Sequence, residues 1–87
     1  MQINFEFLFA DVQELQCKDI RRKIGGKFKE LRIAAGYTSY ETFALEFELS
    51  RRYYWGVENG QNITIDYLVK LLNIHQVGLS DFFNDID

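Results

Sequence analysis

Apolar residues recur at steps of three and four along most of this chain of 87 residues, which is the spacing of helices that pack on a shared core. Proline, which interrupts helices, is absent. The clearest stripe predicts a first core helix over residues 20–35, with Gly36 as the residue that stops it. The pattern therefore predicts an all-α fold. The stripe consists of Ile20, Ile24, Phe28, Leu31 and Ala35.

Two short helices are predicted next, joined by the tight corner "ELS". Thr38 or Ser39 can cap the first of them, in the stretch "SYETFALEF". Ser50 can cap the second, which begins at Arg51 and ends at Gly60. Two short helices joined in this way are typical of a helix-turn-helix. The positions predicted to face the core are Tyr40, Phe43, Ala44, Phe47, Leu49, Tyr54 and Val57.

The two ends of the chain complete the predicted bundle of five or six helices. Thr64 can cap a fourth helix bearing Ile65, Leu68, Leu71 and Leu72, and Ser80 can cap a short fifth helix, "DFFNDI". Near the N-terminus, Phe5, Phe7 and Phe9 alternate as in a strand, while Phe5, Leu8, Phe9, Val12 and Leu15 step as in a helix. We favour the helix because it also includes the later residues. Residues 1–19 are assigned to an N-terminal extension and residues 20–87 to the domain.

Four residues carry interpretations beyond the apolar pattern. Gly25 and Gly26 mark either a frayed start of the first helix or a break between it and the N-terminal helix, or else a close approach of another helix or a phosphate. Cys17 is expected as a small buried apolar residue, and His75 at the end of the fourth helix. With a single cysteine and a single histidine, we expect no disulfide, metal site or cofactor. No catalytic set of side chains can be assembled, so an enzyme is not expected.

The charge of the chain is unevenly distributed. The formal net charge is −3, which by itself argues against a nucleic-acid partner. However, seven of the ten basic residues lie between Lys18 and Arg32, beside only two acidic residues, so one face can still attract phosphate. We expect no signal peptide, and no apolar run in this sequence is long enough to span a membrane. The expected compartment is a reducing cytoplasm.

Two stretches of the sequence resemble a known family. The run "KELRIAAGYTSYETFALEFELSRRYYWGVENG", followed by "TIDYLVKLLNIHQVGLSDFF", is similar to the Xre/Cro/phage-repressor-like family of helix-turn-helix DNA-binding domains. The similarity covers residues 24–83 and rests on an Arg before the first Gly, an Ala in the second helix, a Ser before the third, and a Glu-x-Gly after it. It implies a lambda-repressor-like bundle with its third helix in the major groove.

The resemblance also implies a set of functional residues. Base-reading positions fall on Arg51, Arg52 and Gly56, and a phosphate-contacting position falls on Asn59. An ion pair between Arg32 and Glu58 is implied as a structural brace. Tyr53 and Trp55 are expected on the exposed side of the third helix, and backbone N–H groups near the start of the second helix are expected at phosphate. The whole expected DNA-binding set is Ser39, Tyr40, Ser50, Arg51, Arg52, Tyr53, Trp55, Gly56 and Asn59.

The expected partners are double-stranded DNA and a second copy of the chain. A homodimer is expected because one domain reads only a few base pairs, and its interface should draw on Phe82, Phe83 and Ile86, together with the N-terminal aromatic residues. The segment "QNIT" after Gly60 is neutral, so few phosphate contacts are expected there. The alternative is a protein-interaction module of the same fold, such as the antitoxin partner of a toxin, which the net negative charge favours.

Overall fold

The computed structural model describes residues 15–84 and residue 86, and within them the chain forms five α-helices and no strand. This confirms the all-α fold class. The choice between helix and strand for Phe5, Phe7 and Phe9 lies outside the described residues. The helices are α1 (Cys17–Ala34), α2 (Tyr40–Glu46), α3 (Arg51–Glu58), α4 (Ile65–His75) and α5 (Leu79–Asn84).

Three helices begin behind hydroxyl residues that the sequence predicted as caps. The Oγ of Ser39, not that of Thr38, accepts hydrogen bonds from two N–H groups in the first turn of α2, at 3.1 and 3.3 Å. The Oγ of Ser50 accepts one from the first turn of α3 at 3.2 Å, and the Oγ1 of Thr64 does the same for α4 at 3.1 Å. Each cap satisfies backbone donors that the helix itself leaves unpaired.

Several predicted positions near helix ends are wrong. The first helix begins at Cys17 and not at residue 20, and the Cys17 side chain is exposed instead of buried. The fifth helix begins at Leu79, which places Ser80 within it and not at its cap. The common reason is that apolar spacing reports only the part of a helix that meets the core, and the first turn of a helix often lies beyond it.

The core is centred on aromatic rings contributed by four helices. Phe28, Phe43, Tyr54 and Phe82 are completely buried. The ring centroids of Phe43 and Tyr54 are 5.0 Å apart, and those of Phe28 and Phe82 are 4.6 Å apart. Phe82 is therefore unavailable to the dimer interface in which the sequence analysis placed it. Because the rings of α2 and α3 pack directly on each other, the two helices of the helix-turn-helix are held in a fixed relation.

The corner between α2 and α3 is closed by short-range contacts. The backbone N–H of Leu49 donates to the carbonyl oxygen of Ala44 at 2.8 Å, and both side chains are buried. Glu48 has a φ of 56°, a left-handed conformation that turns the chain between α2 and α3. Small Ala44 and inward-facing Leu49 therefore lie where the sequence predicted them.

The first helix crosses the C-terminal end of α3 at Gly25. A Cβ at this position would overlap the carbonyl oxygen of Val57 and lie 2.9 Å from the carbonyl carbon of Glu58. Of the two interpretations of the glycine pair, close approach of another helix applies to Gly25. Gly26 faces open space, with nothing within 4 Å of an added Cβ, and α1 continues through both residues without a break.

Candidate nucleic-acid interface

The third helix has one face in the core and one face in solvent. Tyr54 and Val57 are buried, whereas Arg51, Arg52 and Trp55 are exposed, Trp55 at 44% of its surface. Positions 51, 52 and 55 lie on the same side of a helix. The side chains with which α3 can contact a ligand are therefore two guanidinium groups and an indole on a single face.

This face of α3 forms a hollow with the start of α2. The hollow has a volume of about 310 Å³ and is lined by Tyr40, Glu41, Arg51, Arg52 and Trp55. Four of these residues belong to the DNA-binding set expected from the sequence, and the fold brings them together. The sequence analysis did not include Glu41. It could have been found as the acidic residue in the first turn of α2, because the corner between α2 and α3 brings that turn close to the arginines.

Glu41 and Arg51 form a weak ion pair across the hollow. The Nη1 of Arg51 lies 3.9 Å from the Oε2 of Glu41, and both side chains are mostly exposed. An exposed pair at this distance contributes little to stability, about 0 to 1 kcal/mol. Arg51 is therefore free to leave Glu41 for a stronger partner, and Glu41 places a negative charge at the N-terminal end of α2.

Two residues of the expected set do not face outward. Gly56 is buried, and a Cβ there would overlap the Oε1 of Gln61. Tyr53 is half-buried, with its ring centroid 4.5 Å from that of Tyr67, and its hydroxyl oxygen accepts a hydrogen bond from the N–H of Thr64 at 3.4 Å. The prediction of outward positions is wrong for both residues. They connect α3 to the loop and helix that follow it.

The three remaining polar residues of the set make local hydrogen bonds. The hydroxyl oxygens of Ser39 and Ser50 accept the capping bonds of α2 and α3. Asn59 is exposed, and its Nδ2 donates to the carbonyl oxygen of Trp55 at 2.8 Å. Ser39 and Ser50 therefore position the residues that follow them, and Asn59 closes the C-terminal end of α3.

The ion pair implied by the resemblance is present and is buried. The Nε of Arg32 lies 2.7 Å from Oε2 of Glu58, and its Nη2 lies 3.1 Å from Oε1, with both side chains 5% exposed. The Nη1 of Arg32 also donates to the carbonyl oxygen of Tyr37 at 2.7 Å. The hydrogen bond to Glu58 raises the pKa of Arg32. This two-bonded pair joins α1, the loop after it and α3.

Two titratable rings pack in the core near this brace. Burial, and then the neighbouring Glu58 carboxylate, raise the pKa of Tyr54 far above its usual range. His75 is the last residue of α4, and its ring stacks on Phe43 with centroids 5.3 Å apart. Burial lowers the pKa of His75, while the charge of Glu58 opposes the change. Both rings are therefore neutral near pH 7.

Comparison with known proteins assigns this arrangement of helices. The sequence model of a family described as "Helix-turn-helix" matches residues 28–82, which include α2 and α3 and most of the chain. The chain belongs to the helix-turn-helix family. It is also similar to the control protein C.MunI of a Mycoplasma species, with 37% identity over 70 residues that cover 79% of this chain and 95% of that protein. No solved structure matches.

Membership of the helix-turn-helix family confirms the resemblance found in the sequence, and the chain is a DNA-binding regulator. In helix-turn-helix terms, α2 and α3 are the motif and α3 is the recognition helix. None of the helices in residues 15–84 is long and apolar enough to cross a membrane. The same part of the chain contains no group of three His, Cys, Asp or Glu residues that could hold a metal ion.

Proposed function

We propose that this helix-turn-helix regulator recognises specific duplex sequences as a homodimer, with α3 in the major groove. The observation that carries the proposal is the exposure of Arg51, Arg52 and Trp55 on one face of α3, while its opposite face is anchored in the core. The first turn of a recognition helix is the part that reaches base edges. Both arginines lie in that turn, directly after the Ser50 cap.

The position of Arg51 and Arg52 at the N-terminal end of α3 favours a partner outside the domain that is negatively charged or accepts hydrogen bonds. A cation at the N-terminal end of a helix is unfavourable because the helix dipole is positive there. The pair with Glu41 offsets this only weakly, at 3.9 Å and in solvent. Guanine offers two acceptors in the major groove that match the parallel donors of Arg51 or Arg52. Trp55 adds an apolar surface suited to a thymine methyl group or a sugar.

The proposed homodimer supplies a second recognition helix. An isolated α3 spans only a few base pairs, and two-fold dimers of such domains read two half-sites. An apolar groove of about 470 Å³ lies between the first turns of α1 and α4 and the end of α5. It includes Ile65, 73% exposed, and Phe83, 37% exposed. We assign this groove to the second copy, since apolar side chains exposed together are typical of an interface.

Similarity to the control protein C.MunI supports a role in the control of transcription. We place this role in the cytoplasm, where a DNA-binding regulator meets its duplex. No catalytic step is part of the proposal.

Selection of bound sites from a random duplex pool, followed by binding measurements on single variants, tests the proposal. Arg51→Ala and Arg52→Ala are compared with Lys23→Ala, which removes an exposed cation of α1 that lines a hollow with Ile86 and with no residue of α3. Loss of a base-reading arginine should reduce the binding free energy on the selected duplex by about 1 to 3 kcal/mol and relax the base preference at one position. Loss of a phosphate-binding arginine should weaken binding to all duplexes alike and reduce the slope of log K against log salt by about one unit.

We expect at least one of the two arginines to behave as a base reader, and Lys23→Ala to bind like the parent. If both arginine variants fold normally and bind selected and random duplexes as the parent does, α3 does not read the sequence. A parent protein that binds no duplex even at low salt would overturn the proposal as a whole.

A further inference from the structure

The loop that follows the recognition helix carries no cation. Residues 60–64 read "GQNIT" and are neutral. In a protein with a net charge of −3, affinity for a duplex depends on where its few exposed cations lie, because most non-specific affinity comes from neutralised phosphates. A phosphate next to this loop can therefore be neutralised only by a cation from another element.

The first helix has cations on the face that points toward this loop. Lys18, Arg21 and Arg22 are spaced three and four residues apart, and the same face carries Gly25 one turn later. Gly25 is the point at which α1 touches the backbone of α3. The three cations therefore lie on the face of α1 that contacts α3, in the turns that precede Gly25. We call Lys18, Arg21 and Arg22 the α1 cationic strip.

Two members of the α1 cationic strip contact the loop at Gly60. The Nε of Arg21 donates to the carbonyl oxygen of Gly60 at 3.1 Å. A Cβ at Gly60 would lie 3.0 Å from the Cγ of Arg22 and 3.6 Å from its Cα. Gly60 has a φ of 89°, a conformation that favours glycine. The absence of a Cβ at this residue allows the side chain of Arg22 to approach the turn closely. Arg21 is half-buried and holds the loop, whereas Arg22 is exposed.

The dimensions of the major groove place the α1 cationic strip near the DNA backbone. The recognition helix has 8 residues and is about 12 Å long, which is close to the width of the major groove. With the first turn of α3 against base edges, its far end and the loop after it come close to the phosphates that border the groove. Arg22 lies beside that loop and is the exposed guanidinium nearest to it in the strip.

We propose that Arg22, with Lys18 adding positive charge one turn earlier, binds a backbone phosphate of the duplex beside the C-terminal end of α3. This contact takes the place of cations that the neutral loop lacks. The inference rests on the proposed function, since it requires α3 to enter the major groove. It adds a phosphate-binding site on α1, outside the helix-turn-helix motif.

The test compares salt dependence of binding for variants that differ in one charge. Arg22→Gln removes the charge and keeps most of the stem that lies against Gly60. Its affinity should fall by the same factor on a selected duplex and on a random one, and the slope of log K against log salt should fall by about one unit. Arg22→Lys keeps the charge and should keep the slope. Lys23→Gln is the matched control, because it removes the neighbouring exposed cation on the side next to Ile86.

The inference is overturned if Arg22→Gln has the slope of the parent, or if Lys23→Gln loses as much slope as Arg22→Gln. Thermal unfolding of each variant shows whether it is folded. If Arg22→Gln does not fold, Lys18→Gln, with an exposed side chain, should reduce the slope, and no reduction overturns the inference. If the parent binds no duplex, the proposed function is overturned as well. If the parent binds a duplex and Arg22→Gln binds it with the same salt dependence, only this inference is overturned.

Discussion

Glu58 is the residue that fixes the recognition helix to the rest of the domain most directly. Its carboxylate accepts two hydrogen bonds from Arg32, and both side chains are 5% exposed. Glu58→Ala leaves a buried guanidinium without its partner, which should lower the free energy of unfolding by about 3 kcal/mol. Urea unfolding measures the change. Glu46→Ala, which removes an exposed acid from α2, should change it by less than about 0.5 kcal/mol. Equal stabilities of the two variants would contradict the role of the brace.

His75 makes stability depend on pH. Burial lowers its pKa from 6.5 in the folded chain, so the unfolded chain binds the proton more readily. Stability is therefore complete above about pH 6.5 and falls as the pH drops toward the folded-state pKa. His75→Phe keeps a ring against Phe43 and removes the titration. Its midpoint of thermal unfolding should fall less than that of the parent between about pH 7 and about pH 5.5. Parallel curves for the two proteins would rule out this contribution of His75.

The residues that the sequence predicted well act through local chemistry. A cap such as Ser39 or Ser50 bonds to N–H groups two or three residues ahead, so the sequence contains both partners. Gly56 and Tyr53 differ, because the groups that cover them, Gln61 and Tyr67, come from the loop and helix that follow. Helical spacing alone cannot report a side chain that folds back from another element. The Arg32 pair crosses elements as well, and the family resemblance supplied it.

At the scale of elements, the two glycines of α1 have opposite surroundings. Gly25→Ala places a methyl group against the backbone of Val57 and Glu58, which can be accommodated only if α1 moves away from α3. We expect a loss of about 2 kcal/mol in the free energy of unfolding. Gly26→Ala meets nothing within 4 Å, and Ala favours the helix by about 0.5 to 1 kcal/mol, so this variant should be more stable than the parent. Chemical denaturation measures both changes, and a shift of the same sign in both variants would contradict the close crossing.

The boundaries of α1 show where apolar spacing stops being informative. The stripe from Ile20 onward located the part of the helix that meets the core, but the turn from Cys17 is exposed. No apolar spacing identifies such a turn. Its exposed side chains include Lys18, the first member of the α1 cationic strip. The same turn that the apolar pattern missed therefore carries part of the proposed phosphate site.

At the scale of the whole molecule, the negative net charge is compatible with DNA binding because most of the basic residues are concentrated on α1 and at the start of α3. The cations of α1 and the two arginines of α3 lie on elements that cross at Gly25. Acidic residues are concentrated elsewhere in the sequence, including the C-terminal tail. A local positive surface is sufficient to attract phosphates over the short screening distance of physiological salt, about 8 Å. The net charge alone argues against a nucleic-acid partner, whereas the clustering of the basic residues is consistent with one.

In the proposed homodimer, the apolar groove is the surface that the second copy covers. Ile65→Ser and Phe83→Ala reduce the apolar surface that the second copy would cover, and each should weaken the dimer about tenfold or more, equivalent to about 1.4 kcal/mol. Sedimentation or light scattering over a range of concentrations measures the effect. Leu45→Ser is the matched control, because Leu45 is 79% exposed on α2 and does not line the groove. This variant should remain as dimeric as the parent.

A weaker dimer should also bind its selected duplex less tightly at low protein concentration, because two recognition helices then have to be brought together on the DNA. The defect should disappear as the protein concentration rises, which separates it from the loss of a base contact in Arg51→Ala or Arg52→Ala. If the parent is a monomer at about 100 μM, both free and with DNA, the dimer is excluded. If Leu45→Ser dissociates the dimer and the groove variants do not, the second copy binds through α2 and not through the groove.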